Sequence, residues 1–236
     1  MTEDIRLLAI QNDPTCPLGW LAEWFADAGV TVDVRRGYAG DTIPADLAGY
    51  RGLVVLGGDM NANDDADCPW LTPIKQLIAR TISGESPFLG ICLGHQLAAV
   101  AMGGKVTANP AGRALGLTHF LPTTAGVHDP LFSSVLSGSP AVQWNSDTVT
   151  EIPRGAEVVA VCADGTPQAI RFGARAWGVQ FHPEVSADIF RSWLDDDDTD
   201  ASPGSGAAAM PQIAAAEEAL RQVWQPWARS WMALCL

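Results

Sequence analysis

The chain opens on a continuous apolar run, Ile5 to Ile10, of strand length and without polar alternation, the pattern of a strand covered on both faces. The period then changes: Leu18, Leu21, Trp24, Phe25 and Ala28 fall on one helical stripe, and Gly29 supplies a stop. Val30 to Val34 alternates as a second strand, and Gly52 to Leu56 is a third, buried one that ends in Gly57-Gly58. Trp70 to Ile82 is expected to be helical with Pro73 near its first turn. Phe88 to Ile91 reads as a fourth strand, and His95 to Met102 as a helix closed by Gly103-Gly104. Strands alternating with helices imply right-handed crossovers and parallel pairing.

From about Lys105 to Gln180 the texture shifts to short β-prone runs, Leu117–Leu121, Ala141–Trp144, Glu157–Cys162, Gln168–Phe172 and Ala176–Phe181, divided by Gly, Pro and Asp turns. These are expected to be mixed or antiparallel strands. The fold class is therefore α/β: a single domain with a central, mostly parallel twisted sheet flanked by helices, flavodoxin-like, plus a smaller mixed or antiparallel β extension. Ser186 to Leu194 looks helical, with Ser186 as N-cap. The expected organisation is a domain over 1–194, an acidic Gly/Ser/Pro linker over 195–211, and an amphipathic C-terminal helix over 212–236. That helix carries Trp224, Trp227 and Trp231 and packs back on the domain.

Composition narrows the partners. With 236 residues, 47% apolar and 17% charged, the chain is globular. A formal net charge of −13 argues against nucleic acid, whose binding rests on Lys and Arg neutralising phosphates, and against an anionic membrane surface. No apolar stretch approaches the roughly 20 residues that span a bilayer. The N-terminus lacks the basic region of a signal peptide. Five widely spaced cysteines without a C-x-x-C pair fit a reducing, cytoplasmic setting, with no disulfide framework and no metal site expected. No dinucleotide fingerprint follows the first strand, and no cofactor is expected.

The chemistry lies in two segments. In Gly90-Ile91-Cys92-Leu93-Gly94 a buried strand runs straight into a helix, and flanking glycines let backbone crowd the cysteine. Such an elbow lifts the sulfur above the sheet. The dipole at the helix start favours thiolate, and the Leu93 N–H is a natural oxyanion donor. Trp177 to Glu184 (WGVQFHPE) supplies a base and its orienting partner at a strand end. His182 and Glu184, two apart on an extended backbone, leave from the same face, with Pro183 keeping the segment from helix.

GICLGHQ together with VQFHPE resembles the signature of the class I, triad-type glutamine amidotransferases, over roughly residues 5 to 194. The resemblance implies Cys92 as nucleophile, His182 as base and then acid, and Glu184 as the residue orienting His182. It makes Gly58, in the glycine-rich loop Gly57-Gly58-Asp59-Met60, the second oxyanion donor beside Leu93. Gly57, Gln96 and Asn145 become substrate-binding positions. The run Gly57 to Leu71 further resembles stand-alone members related to the GMP synthetase amidotransferase domain. Two positions depart from that branch. Ala114 stands where a Glu commonly recognises the substrate's α-amino group, and Asn145 stands where a His is frequent.

The implied activity is hydrolysis of the glutamine side-chain amide through a γ-glutamyl thioester, with release of ammonia. Alternatives are a γ-glutamyl peptidase or hydrolase using the same triad on γ-glutamyl conjugates, a catalytically silent binding or regulatory module, and an unrelated cysteine hydrolase on a similar sheet. Because only a helix, a linker and a further helix follow His182, amination of an acceptor is expected to need a separate synthetase subunit to receive ammonia.

Overall fold

The computed structural model describes residues 5–196 and 205–236. Strands β1 (Ile5–Gln11), β2 (Val30–Arg36), β3 (Leu53–Val55) and β4 (Phe88–Ile91) alternate with helices α1 (Trp20–Asp27), α2 (Leu71–Ser83) and α3 (Leu93–Ala101), except that a 3-10 turn, Gly37–Ala39, follows β2. β1 pairs in parallel with β2 and β3, and β3 with β4. The two faces of β1 explain its unbroken apolar run. Leu7 and Ala9 pack on one side with Trp24 and Phe25 of α1, while Leu8 and Ile10 pack on the other with Ile74 and Leu77 of α2.

The second half contributes β5 (Lys105–Ala108), β6 (Ala114–His119), β7 (Leu121–Pro122), α4 (Thr124–Val127), β8 (Pro140–Asn145), β9 (Asp147–Glu151), β10 (Glu157–Val161), β11 (Pro167–Gly173), β12 (Ala176–Val179), α5 (Ala187–Asp196) and α6 (Ser205–Met232). The main sheet runs β2-β1-β3-β4-β12-β11-β10-β7, and β5-β9 and β6-β8 form two small antiparallel sheets beside it. This is the mostly parallel sheet with an antiparallel extension that the sequence implied. The decisive strand is β12. It lies parallel to β4 with Ala176 opposite Phe88 and Val179 opposite Ile91, and the chain then turns back antiparallel into β11. Residues far apart in sequence thus leave the sheet side by side.

Several elements differ from the sequence reading. The strand expected to run to Phe181 ends at Val179, because His182 leaves it to bridge Val142 of β8, with its N–H 2.8 Å from the Val142 carbonyl. β5 and β9 were not anticipated; they are short, rich in polar residues, and among the described residues pair only with each other. The segment expected to be linker up to 211 is already helical at Ser205, consistent with the helix-favouring Ala207–Ala209 run, and α5 extends to Asp196. The remainder of that linker, 197–204, lies outside the described residues. Trp224, Trp227 and Trp231 of α6 are buried in the core beside α1, where the Trp231 indole donates to the Phe88 carbonyl at 3.2 Å and the Trp224 indole to the Pro140 carbonyl at 2.9 Å. Among the described residues, no helix is long and apolar enough to cross a membrane.

Candidate active site

The elbow at Cys92 is built by sterics. Cys92 has φ 50° and ψ −105°, a strained conformation for a residue with a side chain, which costs on the order of 1–3 kcal/mol. The strain is held because the Cys92 N–H is bonded to the Val179 carbonyl at 2.8 Å, while its own carbonyl accepts from the Gln96 N–H at 3.1 Å to begin α3. Close approach explains the flanking glycines. A Cβ on Gly94 would lie 2.0 Å from the Val55 carbonyl oxygen, and one on Gly90 would lie 2.6 Å from the Gly94 carbonyl oxygen. The first residues of α3, Leu93 among them, present N–H groups that have no acceptor within the helix.

Beyond β12 the chain bends at Gln180 and turns at Pro183-Glu184, so His182 and Glu184 are not on one extended strand as expected. The turn folds the carboxylate back instead, and Glu184 Oε1 lies 2.8 Å from His182 Nδ1. Both side chains are buried, at 2% and 1% exposure. Burial, the largest effect, pushes the imidazolium down. The Glu184 carboxylate, followed by the Cys92 sulfur through charge and hydrogen bonding, outweighs it and raises the His182 pKa to about 10. Trp193 of α5 covers this ring, with centroids 4.7 Å apart.

Cys92, His182 and Gly58 open onto one cavity of about 510 Å³, with Gln96 and Asn145 also on its wall. Gln96 donates to the Asp147 carbonyl and to Gln180 Oε1, both at 3.1 Å, and Gln180 in turn donates to the Cys92 sulfur at 3.6 Å. As a thiol, Cys92 faces the Trp144 carbonyl at 3.8 Å. Asn145 donates to the Asp147 carbonyl at 3.1 Å, leaving its side-chain oxygen buried without a partner. Gly57 is set behind the wall, against the His182 ring, where a Cβ would come within 3.2 Å of Cε1.

Gln180, Trp193 and Cys16 were not singled out from sequence. Gln180 carried a signal, since it stands two residues before His182. Cys16, on the loop after β1, lines the same cavity, and its thiol is pushed well above the usual range by burial, then by Asp13 and the Cys92 and Glu184 charges. All five cysteines are free thiols. Among the described residues, no group of three or more His, Cys, Asp and Glu side chains is placed to hold a metal ion.

His95 has a different fate. It is fully buried beneath the elbow, its ring 5.9 Å from that of Phe172, with neither ring nitrogen in a hydrogen bond of normal geometry. Burial drops its pKa to about 3, opposed only weakly by the Gly178 backbone. A ring kept neutral in the fold but titrating near 6.5 when unfolded stabilises fully above about pH 6.5 and loses that contribution as pH falls towards 3. His182 has the opposite sign: its contribution is complete below about 6.5 and fades as pH rises towards 10. Urea unfolding midpoints of His95→Leu should accordingly fall less steeply than wild type between pH 6.5 and 4. An acid limb as steep as the wild type's would contradict the assignment.

The glutamine amidotransferase class-I family profile matches residues 19–196, and the chain belongs to that family, whose members are hydrolases and amidotransferases. The chain is 34% identical over 149 residues to a glutamine-hydrolysing GMP synthase of Porphyromonas gingivalis, covering 63% of this chain but only 28% of that protein. It is 30% identical over 152 residues to gamma-glutamyl peptidase 5 of Arabidopsis thaliana, covering 64% of this chain and 60% of the peptidase. The crystal structure of a glutamine amidotransferase from Thermotoga maritima superposes with a TM-score of 0.86 at 26% identity, covering 99% of both chains.

Proposed function

We propose that the chain hydrolyses the side-chain amide of glutamine through a γ-glutamyl thioester on Cys92 and releases ammonia. The observation that carries this reading is the buried His182–Glu184 pair, 2.8 Å apart, beside a cysteine held at a strained elbow on the wall of one cavity. The Cys92 thiolate attacks the amide carbonyl, and the developing oxyanion is received by the Gly58 and Leu93 N–H groups. His182, held as imidazolium by the Glu184 carboxylate, protonates the departing nitrogen; the neutral imidazole then takes a proton from water, whose oxygen cleaves the thioester to glutamate and returns the Cys92 thiolate and the imidazolium. Glu184 fixes the ring through Nδ1. Gln96 and Asn145, on the same wall, are placed to contact the glutamyl chain. The ammonia would pass to a separate synthetase subunit, in a cytoplasmic setting.

A second reading keeps the triad but replaces ammonia with an amine of a γ-glutamyl conjugate. It is favoured by Ala114, which leaves an uncharged side chain where the resembling branch has an acid, and by the likeness to a γ-glutamyl peptidase. The cavity volume of about 510 Å³ also falls within the range that houses ligands larger than one amino acid. A panel of glutamine and γ-glutamyl dipeptides, scored for both ammonia and glutamate, separates the two readings. Equimolar ammonia and glutamate from glutamine is the expected result. Glutamate without ammonia, and only from the dipeptides, would transfer the assignment to the second reading.

A further inference from the structure

Gln180 follows the last residue of β12 and is fully buried where the chain leaves the sheet towards His182. Its backbone N–H donates to the Gln168 carbonyl of β11 at 2.8 Å, so the residue is still tied to the ladder. The orientation of its side-chain amide is fixed by a run of bonds that starts at a group unable to donate. The Asp147 carbonyl accepts from Gln96 Nε2 at 3.1 Å. That same Nε2 also donates to Gln180, so the atom it meets, 3.1 Å away, is the oxygen Oε1. Gln180 Nε2 is thereby turned towards the Cys92 sulfur, 3.6 Å away.

The sulfur therefore has two kinds of neighbour. The Trp144 carbonyl, at 3.8 Å, can only accept and suits the thiol. The Gln180 amide and the His182 ring offer N–H groups, which favour a charged sulfur. A hydrogen bond to an ion is about twice as strong as one between neutral groups, and a buried amide meets little competition from water. We propose that Gln180 is a catalytic residue whose amide N–H stabilises the Cys92 thiolate, before attack on the substrate carbonyl and again when that thiolate leaves the thioester. The amide gives up no proton in either step; proton transfer stays with His182. This rests on the reading of Cys92 as the residue acylated, and it adds a donor on the sulfur, separate from those assigned to the oxyanion.

The test follows alkylation of Cys92 in the full chain by iodoacetamide, a small neutral probe, across a range of pH, with adducts located by mass spectrometry. Gln180→Met keeps the length and loses the donor, while Gln180→Glu keeps the shape and places a carboxylate there. The other charged and titratable groups around the sulfur are unchanged: His182 with Glu184 behind it, Cys16 and Asp13 on the loop after β1, and Asp59, Arg113 and Asp147 on the remaining wall. Near neutral pH both variants are expected to be alkylated more slowly than wild type, Gln180→Met by about 10-fold. On the alkaline plateau Gln180→Met should equal or exceed wild type, because a sulfur relieved of that hydrogen bond is the better nucleophile. Slowing by the same factor at every pH would mark a packing role and overturn the proposal. Rates unchanged in both variants, or a chain that folds with neither replacement, would overturn it as well. A wild-type Cys92 no more reactive than Cys68, a half-buried thiol on the loop before α2, overturns the underlying reading and this one together.

Discussion

Replacing Cys92 with alanine is expected to lower ammonia release from glutamine by at least about 10⁴-fold, because on the proposed thioester chemistry it removes the nucleophile and leaves only binding and oxyanion stabilisation. Folding should survive. Cys92 is packed at the cavity wall and loses only a sulfur, and near- and far-ultraviolet circular dichroism should overlay the wild type. The elbow adds a second readout. At φ 50° an alanine keeps the backbone strain that cysteine bears, whereas glycine relieves it, so Cys92→Gly should unfold at a higher temperature than Cys92→Ala while being equally inactive. Ammonia release by the alanine variant at more than a hundredth of the wild-type rate would end the thioester proposal.

The second large effect falls on stability. Gly94→Ala gains about 1 kcal/mol in helix propensity, which in isolation would favour it. Against that, its Cβ would stand 2.0 Å from the Val55 carbonyl oxygen and 2.7 Å from the carbonyl carbon, both backbone atoms of a central strand that no rotamer change can move. Overpacking of this kind costs typically about 1–3 kcal/mol and more where backbone must shift, so the steric term wins. Chemical denaturation should show a net loss of about 2 kcal/mol or more, a large share of the roughly 5–15 kcal/mol that holds a domain together. Activity should fall too, since separating α3 from β3 displaces the N–H groups beside Cys92. A variant as stable as wild type would show that the elbow tolerates a side chain there.

The sequence made legible those features encoded by neighbouring residues. The fourth strand, Phe88–Ile91, has the boundaries its apolar run implied, because it is buried on both faces and bounded by a proline and a strained cysteine. The elbow glycines were readable for the same reason: their constraint is local. What could not be read is adjacency. Nothing in residues 176–179 states that they insert beside β4 instead of extending the antiparallel side, yet that placement brings His182 to Cys92. Cys16 and Arg113 reach the cavity from loops whose own composition is unremarkable. His182 and Glu184 do meet side chain to side chain, but on a different backbone from the one expected, because spacing of two is as compatible with a tight turn after proline as with an extended strand. The C-terminal helix posed the converse problem. Pro211 and Pro226 argue against helix interiors, but the buried indoles on one side of α6 supply packing that outweighs the missing hydrogen bonds.

The in-register pairing of β4 with β12 has a mechanical corollary. Cys92 directly follows the last rung of the β4–β12 ladder, and His182 lies three residues beyond Val179, the other member of that rung, pinned by its bridge to Val142 of β8, and packed interiors do not deform gradually. The separation of the Cys92 and His182 side chains is therefore a fixed dimension of the scaffold. On the proposed reading, control of turnover would have to act at the rim, on the loops bearing Asp13 and Asp59, by admitting or obstructing the substrate.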